Sequence, residues 1–331
     1  MTGSPAPVYK NAGLSSLAAR LARMLGNCRI CPRACGVDRA AGEKGFCRTA
    51  KEAYVYSYFP HHGEEPPISG DKGSGAVFFS GCNMRCVYCQ NYKFSQMSAE
   101  DGGLPGRKVS AGELAEIMLA LQAKECHNIN LVSPGHVLPQ IVQALDIASG
   151  RGLNVPLVYN TGGYDLPETV RLLEGVVDIY LADMRYASES NAVKYSSAPG
   201  YPEFNLNALK EMCRQRPAPV FDGAGIMRSG VIVRHLVLPQ DISGTREVLK
   251  RLAGIVSPQN VCVSLMSQYL PFNRAKEYSE LSRRINAQEY SEAEECLAEY
   301  GFGRGWVQEE YGLSELSGIN IEERHLEDGR Q

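Results

Sequence analysis

The sequence predicts an α/β fold: a partial (β/α)6 TIM-like barrel with a small N-terminal cysteine-rich metal module in front of it. Three observations carry this. Short apolar runs alternate with longer amphipathic segments from Ala76 onward, seven of the eleven cysteines fall between Cys28 and Cys89, and a turn-rich stretch separates the two regions. On this basis residues 1–70 hold a helix, the cysteine module and a loop, 71–310 the barrel, and 311–331 a frayed tail.

The chain has 331 residues, 44% of them apolar, enough to bury a substantial core. Its first ten residues, MTGSPAPVYK, carry no apolar signal-peptide core, and no run of about 18 apolar residues offers a membrane span. A cytoplasmic protein without membrane association is expected. The net charge of −3 gives no reason to expect nucleic acid.

Leu14, Leu17, Leu21 and Leu25 recur at helical spacing, and Gly26 and Asn27 end that helix. After the cysteine module come YVYSYF and then HHGEEPPISGDKGSG, whose proline and glycine content argues against regular structure. The runs AVFFS, INLVS, PLVYN, DIYLAD, VIVRHLVL and VCVSLM read as six buried parallel strands. Between them SAGELAEIMLALQAKE, with Ser110 and Glu113 as a capping box, VLPQIVQALDIAS and DLPETVRLLEG read as helices, and AQEYSEAEECLAEYG as a last helix over an edge. Such alternation implies βαβ crossovers and function at the C-terminal ends of the strands.

Directly after the first of these strands stands CNMRCVYCQN, so Cys82, Cys86 and Cys89 occupy a strand-end loop. Three thiolates suit three corners of a four-iron cluster and leave the fourth iron open to a ligand. A structural zinc site would close itself with a fourth Cys or His, and a ferredoxin run would space its cysteines differently. The CxxxCxxC spacing resembles the signature of the radical S-adenosylmethionine (SAM) superfamily. That resemblance implies a 4Fe-4S cluster on Cys82, Cys86 and Cys89 that chelates SAM and cleaves it to a 5′-deoxyadenosyl radical. It also places Tyr88 near the adenine, where ordinary loop packing is the competing role.

Further strand ends extend the resemblance to the pyruvate formate-lyase activating enzyme-like branch, over roughly Ala76 to Trp306. Ser133, Pro134, Gly135 and His136 stand where the family has a glycine-rich segment that holds the SAM amino group. Here the usual carboxylate is missing. Asn160 or Thr161 matches a position that contacts SAM. LADMR resembles the DxK element, with Asp183 matching and Arg185 in place of lysine, and Asp183 and Arg185 are the implied catalytic pair. In VIVRHLVLP, Arg234 and His235 are implied near SAM, although strand alternation also allows one of them to face outward. His61, His62, Glu64 and Glu65 are read either as the mouth of the site or as a polar surface loop.

Cys28, Cys31, Cys35 and Cys47 form a second cysteine group within twenty residues rich in Gly, Pro and Arg. Four such thiolates cannot make a hydrophobic core, and they are expected to hold either zinc or a second iron-sulfur cluster. Cys126, Cys213, Cys262 and Cys296 stand alone and read as small buried hydrophobes.

The leading expectation is therefore an activase-like enzyme that abstracts hydrogen from a glycyl-radical enzyme or peptide, with a flavodoxin- or ferredoxin-like reductant. Direct radical modification of a peptide or small molecule is the alternative. A non-enzymatic iron-sulfur electron carrier is the alternative of another class.

Overall fold

The computed structural model describes residues 5–99 and 102–308. The tail expected at 311–331 lies outside the described residues. In chain order the first elements are α1 (Leu14–Arg23), β1 (Ala53–His61), α2 (Pro66–Ser69), β2 (Ser74–Phe79), α3 (Tyr92–Ser95), β3 (Arg107–Val109), α4 (Ala111–Ala123), β4 (Ile129–Val132) and α5 (Leu138–Gly150). There follow β5 (Leu157–Thr161), α6 (Pro167–Leu172), β6 (Ile179–Asp183), α7 (Glu189–Ser196), α8 (Tyr201–Gln215), β7 (Val220–Phe221), β8 (Met227–Leu236), α9 (Thr245–Ala253), β9 (Cys262–Met266), α10 (Ala287–Glu299) and β10 (Gly305–Val307).

The six expected strands are β2, β4, β5, β6, β8 and β9, and they lie side by side in that order, all parallel. β10 extends the sheet in parallel beyond β9; β1 and β3 extend it antiparallel beside β2. β10 and β3 do not pair with each other among the described residues, so the barrel is unclosed.

Helices cover the outside, which is why the strands are apolar on both faces rather than alternating. Val77 and Phe79 of β2 and Leu131 of β4 join the large outer core with Leu21 of α1, Leu114 and Met118 of α4, and Ile141 of α5. The intervening residues point inward. Val158, Ile179, Leu181, Ile232 and Cys262 form an inner cluster with Ile68 of α2.

Two features depart from the sequence reading. YVYSYF is part of β1, a nine-residue strand, and the segment expected to be irregular contains the single helical turn α2. Pro66 starts that turn because its fixed φ suits a first helical position. β1 ends with His61 opposite Ser74, the first residue of β2, so the chain reaches α2 at the N-terminal end of the parallel strands. There Ile68, fully buried, plugs the barrel; burying a side chain of this size contributes about 1.5–3 kcal/mol.

The expected capping box on α4 is present, with Ser110 Oγ accepting from the Glu113 N–H and Glu113 accepting from the Ser110 N–H. α10 packs on α9, and its Tyr290 hydroxyl donates to the Leu265 carbonyl of β9 at 3.0 Å. Cys126, Cys213, Cys262 and Cys296 are all buried, and the eleven cysteines are all unpaired. Among the described residues no helix is long and apolar enough to cross a membrane.

Candidate active site

The loop that follows β2 is pinned by its backbone. Arg85 and Val87 donate to the carbonyls of Ser196 (2.9 Å) and Tyr195 (2.8 Å), while Arg274 N–H donates to the Val87 carbonyl. The Cys86 carbonyl accepts from Gln96 Nε2 at 2.9 Å and Asn273 Nδ2 at 3.2 Å. Each cysteine sulfur also has a polar neighbour: Met84 N–H to Cys82 Sγ at 3.4 Å, Ser95 Oγ beside Cys89 Sγ at 3.4 Å, and Ser196 Oγ donating to Cys86 Sγ at 3.0 Å. Because Ser196 gives its one proton to the sulfur, it accepts from Tyr186, which in turn accepts from Tyr88. The three side chains form an oriented hydroxyl chain with O···O distances of 2.6 and 2.7 Å.

Burial pushes the bare Cys82 thiol up to about 12 and raises Cys89 as well. Thiolates in so dry a site are stabilised by iron rather than by solvent. Among the described residues no three Cys, His, Asp or Glu side chains converge on the position of one metal ion. A cubane does not require that, since each of its cysteines holds a different iron.

The inner face of the barrel carries a buried polar layer directly above the apolar plug. Asp183 at the end of β6 is shared by two guanidinium groups, accepting from Arg234 Nε at 2.8 Å and from Arg185 Nη2. Arg234 Nη2 also donates to Asn160 Oδ1 at 2.6 Å. Glu64 Oε1 accepts from Asn130 Nδ2 at 3.0 Å and Asn160 Nδ2 at 3.2 Å, and Glu64 Oε2 pairs with Arg234 at 3.3 Å. Desolvation raises the Glu64 carboxyl despite these donors and pushes Glu65 up to about 7. Among the described residues Arg185 Nε, Glu65 Oε2 and Asn130 Oδ1 of the barrel are buried atoms that make no hydrogen bond, although the Glu65 carboxyl as a whole is also reached by Ser264.

The residues expected from sequence divide cleanly. Cys82, Cys86, Cys89, Tyr88, Asn160, Asp183, Arg185 and Arg234 belong to the loop and the inner layer. His235, the neighbour of Arg234, faces the helices instead: Nδ1 meets the Met184 carbonyl at 2.7 Å and Nε2 meets Thr245 Oγ1 at 3.0 Å. Thr161 likewise turns away from Asn160 and is used locally, donating to Asp165 and accepting from the Gly163 N–H. Gly135 is required by packing, since an added Cβ would lie 2.8 Å from Asp165 Oδ1. Ser133 adopts a left-handed conformation and donates its N–H to the Asn160 carbonyl at 2.8 Å. His136 is buried against the cysteine module, with Nε2 at 2.9 Å from the Ser80 carbonyl, and burial lowers it to about 4. Glu64 and Glu65 form neither a mouth nor a surface loop; the plug carries them in at the N-terminal end and they become the floor. Nothing in HHGEEPP alone announces that depth.

The N-terminal group is assembled too. Cys28, Cys31, Cys35 and Cys47 line one small pocket together with Arg39 and His136. Arg39 is 1% exposed and among the described residues has no carboxylate partner: Nη1 donates to the His136 carbonyl at 2.8 Å and lies 3.7 Å from Cys28 Sγ, while Nη2 makes no hydrogen bond. A buried cation of this kind is costly unless an anion accompanies it. The module also touches the first cysteine loop. Arg33 and Arg85 stack on Phe46, 3.6 and 4.3 Å from its ring centroid, and Arg33 Nε donates to the Asn83 carbonyl at 2.8 Å.

Comparison with known proteins gives this arrangement its context. A protein-family model described as the radical SAM superfamily matches residues 76–227. The chain is 31% identical over 297 residues to MJ0674, an uncharacterised Methanocaldococcus jannaschii protein, covering 88% of this chain and 80% of that one. It is 24% identical over 187 residues to the pyruvate formate-lyase-activating enzyme of Clostridium pasteurianum, covering 54% of this chain and 68% of the enzyme. Among solved structures it superposes on methylornithine synthase (PylB) with a TM-score of 0.46 at 14% identity, over 72% of this chain and 65% of that one. With its CxxxCxxC loop at the end of the first parallel strand of an unclosed β/α barrel, the chain belongs to the radical SAM superfamily.

Proposed function

We propose that this enzyme reductively cleaves SAM at a 4Fe-4S cluster on Cys82, Cys86 and Cys89 and directs the radical at a C–H bond of an organic substrate inside the barrel. When bound, the cluster supplies the electron that breaks the carbon-sulfur bond of SAM. The observation that carries the reading is the vertical order of the groups. The three cysteines, Tyr88 and Arg185 all stand at the C-terminal strand ends, Arg185 with its Nε making no hydrogen bond and its Nη2 on Asp183, and the buried polar layer lies below. An unpartnered guanidinium N–H suits the SAM carboxylate. In the test, anaerobically reduced protein converts SAM to 5′-deoxyadenosine and Cys86→Ala abolishes the conversion; a wild-type protein with an intact cluster and no product overturns the reading.

A second reading, activation of a glycyl-radical enzyme, is favoured by the Clostridium pasteurianum relative and by the Asp183–Arg185 strand end. It predicts a glycyl-radical EPR signal when the reduced protein and SAM are mixed with such a partner, and none without SAM. The electrons come from a flavodoxin- or ferredoxin-like protein on either reading. For the N-terminal cysteines either zinc or an iron-sulfur cluster on four thiolates would supply the anion that Arg39 lacks, and the cluster is favoured by one fact: among the described residues the four thiols do not converge as the ligands of one ion do. A thiolate-ligated cluster carries the negative charge that Arg39 needs.

A further inference from the structure

We infer that the floor of the barrel binds the ammonium group of a small organic amine, with Glu65 Oε2 and Asn130 Oδ1 as acceptors and the aromatic inner face of β1 and β2 against its carbon skeleton. The inference rests on the direct-modification reading above.

The unpartnered atoms are sorted by height. At the top, Arg185 Nε is a donor, close to the cysteine loop: a Cβ on Gly162 would lie 3.2 Å from Met84 Sδ and 3.7 Å from Arg185 Nε. At the floor, Glu65 Oε2 and Asn130 Oδ1 are both acceptors, on residues 8% and 0% exposed. A buried acceptor without a donor is destabilising, and two of them in one layer call for a ligand that donates more than once. An ammonium group has three N–H bonds and no lone pair, so it serves both without adding an unpaired acceptor.

Charge points the same way. Glu64, Glu65 and Asp183 face Arg185 and Arg234, three carboxylates against two guanidinium groups, so the layer is completed by one further positive charge, a bound cation or a proton on a glutamate that burial already pushes up. Asn130 is paired in the sheet with Ala76, and on the same face of β2 the next residue inward is Phe78. Phe78 is one part of a continuous aromatic surface. Phe59 stacks on it at 5.4 Å, Phe94 meets it edge-on at 5.9 Å, and Tyr56 stacks on Phe94 at 4.7 Å. Ring faces next to buried acceptors favour a cation carried on an apolar body. Because α2 closes the barrel below, the ammonium enters from above and leaves the rest of the molecule nearer the cysteine loop, where the radical would arise.

Equilibrium binding to the reconstituted wild-type protein tests this with benzylamine and its neutral counterpart benzyl alcohol. Benzylamine is expected to bind saturably and raise the melting temperature, and benzyl alcohol to do neither. Glu65→Gln, which keeps the shape and removes the charge, is expected to weaken benzylamine binding at least about tenfold, and Asn130→Leu to weaken it as well. Equal binding of the alcohol, or unchanged amine binding by both folded variants, overturns the proposal. Production of 5′-deoxyadenosine by the wild type is read separately. Amine binding without SAM cleavage sinks the radical reading alone, and SAM cleavage without amine preference sinks this one alone.

Discussion

Cys86 Sγ accepts a hydrogen bond from Ser196, which is held in that role by Tyr186 and Tyr88. A hydrogen bond to a ligating sulfur stabilises the more negative, reduced state of a cluster. Ser196→Ala is therefore expected to lower the midpoint potential at unchanged iron content, followed by EPR-monitored redox titration; an unshifted potential would detach the hydroxyl chain from the cluster. Gly81, just before Cys82, makes a second residue-level prediction. Its φ is 83° and an added Cβ would lie 2.5 Å from the Cys47 carbonyl, so Gly81→Ala combines backbone strain of about 1–3 kcal/mol with a clash. A lower melting temperature and loss of iron are expected, and a melting temperature equal to wild type would show that the loop relaxes freely. The strand ends themselves were legible by position, but which of two neighbours faces inward was not: the pairs Asn160/Thr161 and Arg234/His235 were separated only by the strand register. Arg39 was visible as one of several arginines among cysteines, and its lack of a carboxylate partner is a fact of packing that no spacing encodes.

The six parallel strands and helices α1, α4, α5, α6 and α10 were legible because each carries an unbroken apolar run or a helical period of its own, whereas α8, at 15 residues, was not read from the sequence. α2 was not, since a single turn has too few residues to display a period, and its prolines read as breakers. Its function is supplied from elsewhere: Ile68 is held by Val158, Ile179, Leu181, Ile232 and Cys262, from four different strands. Ile68→Ala is thus expected to cost about 2–5 kcal/mol, a price set by the cavity left beneath the polar layer. Urea unfolding measures the loss. Because Glu64 and Glu65 enter with the same segment, loosening the plug is also expected to weaken ligand binding at the floor; a full loss of stability with no change there would mean that the two glutamates are placed independently of Ile68.

Across the whole molecule, the two cysteine groups are built into one interface rather than strung on a flexible leader. Phe46 lies between Arg33 from the module and Arg85 from the CxxxCxxC loop, and Arg85 Nη2 returns to the Phe46 carbonyl. The Cys47 carbonyl sits against Gly81, next to Cys82. A second cluster in that position would be a short step from the first, and the guanidinium groups between them would favour electron entry by stabilising added negative charge. Replacing Cys28, Cys31, Cys35 and Cys47 together by alanine is then expected to remove about half of the iron, taking two cubanes as the full complement. The same variant is expected to make 5′-deoxyadenosine at near wild-type rate with a small chemical reductant and far more slowly with reduced flavodoxin. Loss of zinc at constant iron would instead make the module a structural clip. Its contacts with the loop would then act only by holding Cys82 in place, and the two reductants would drive the variant equally well.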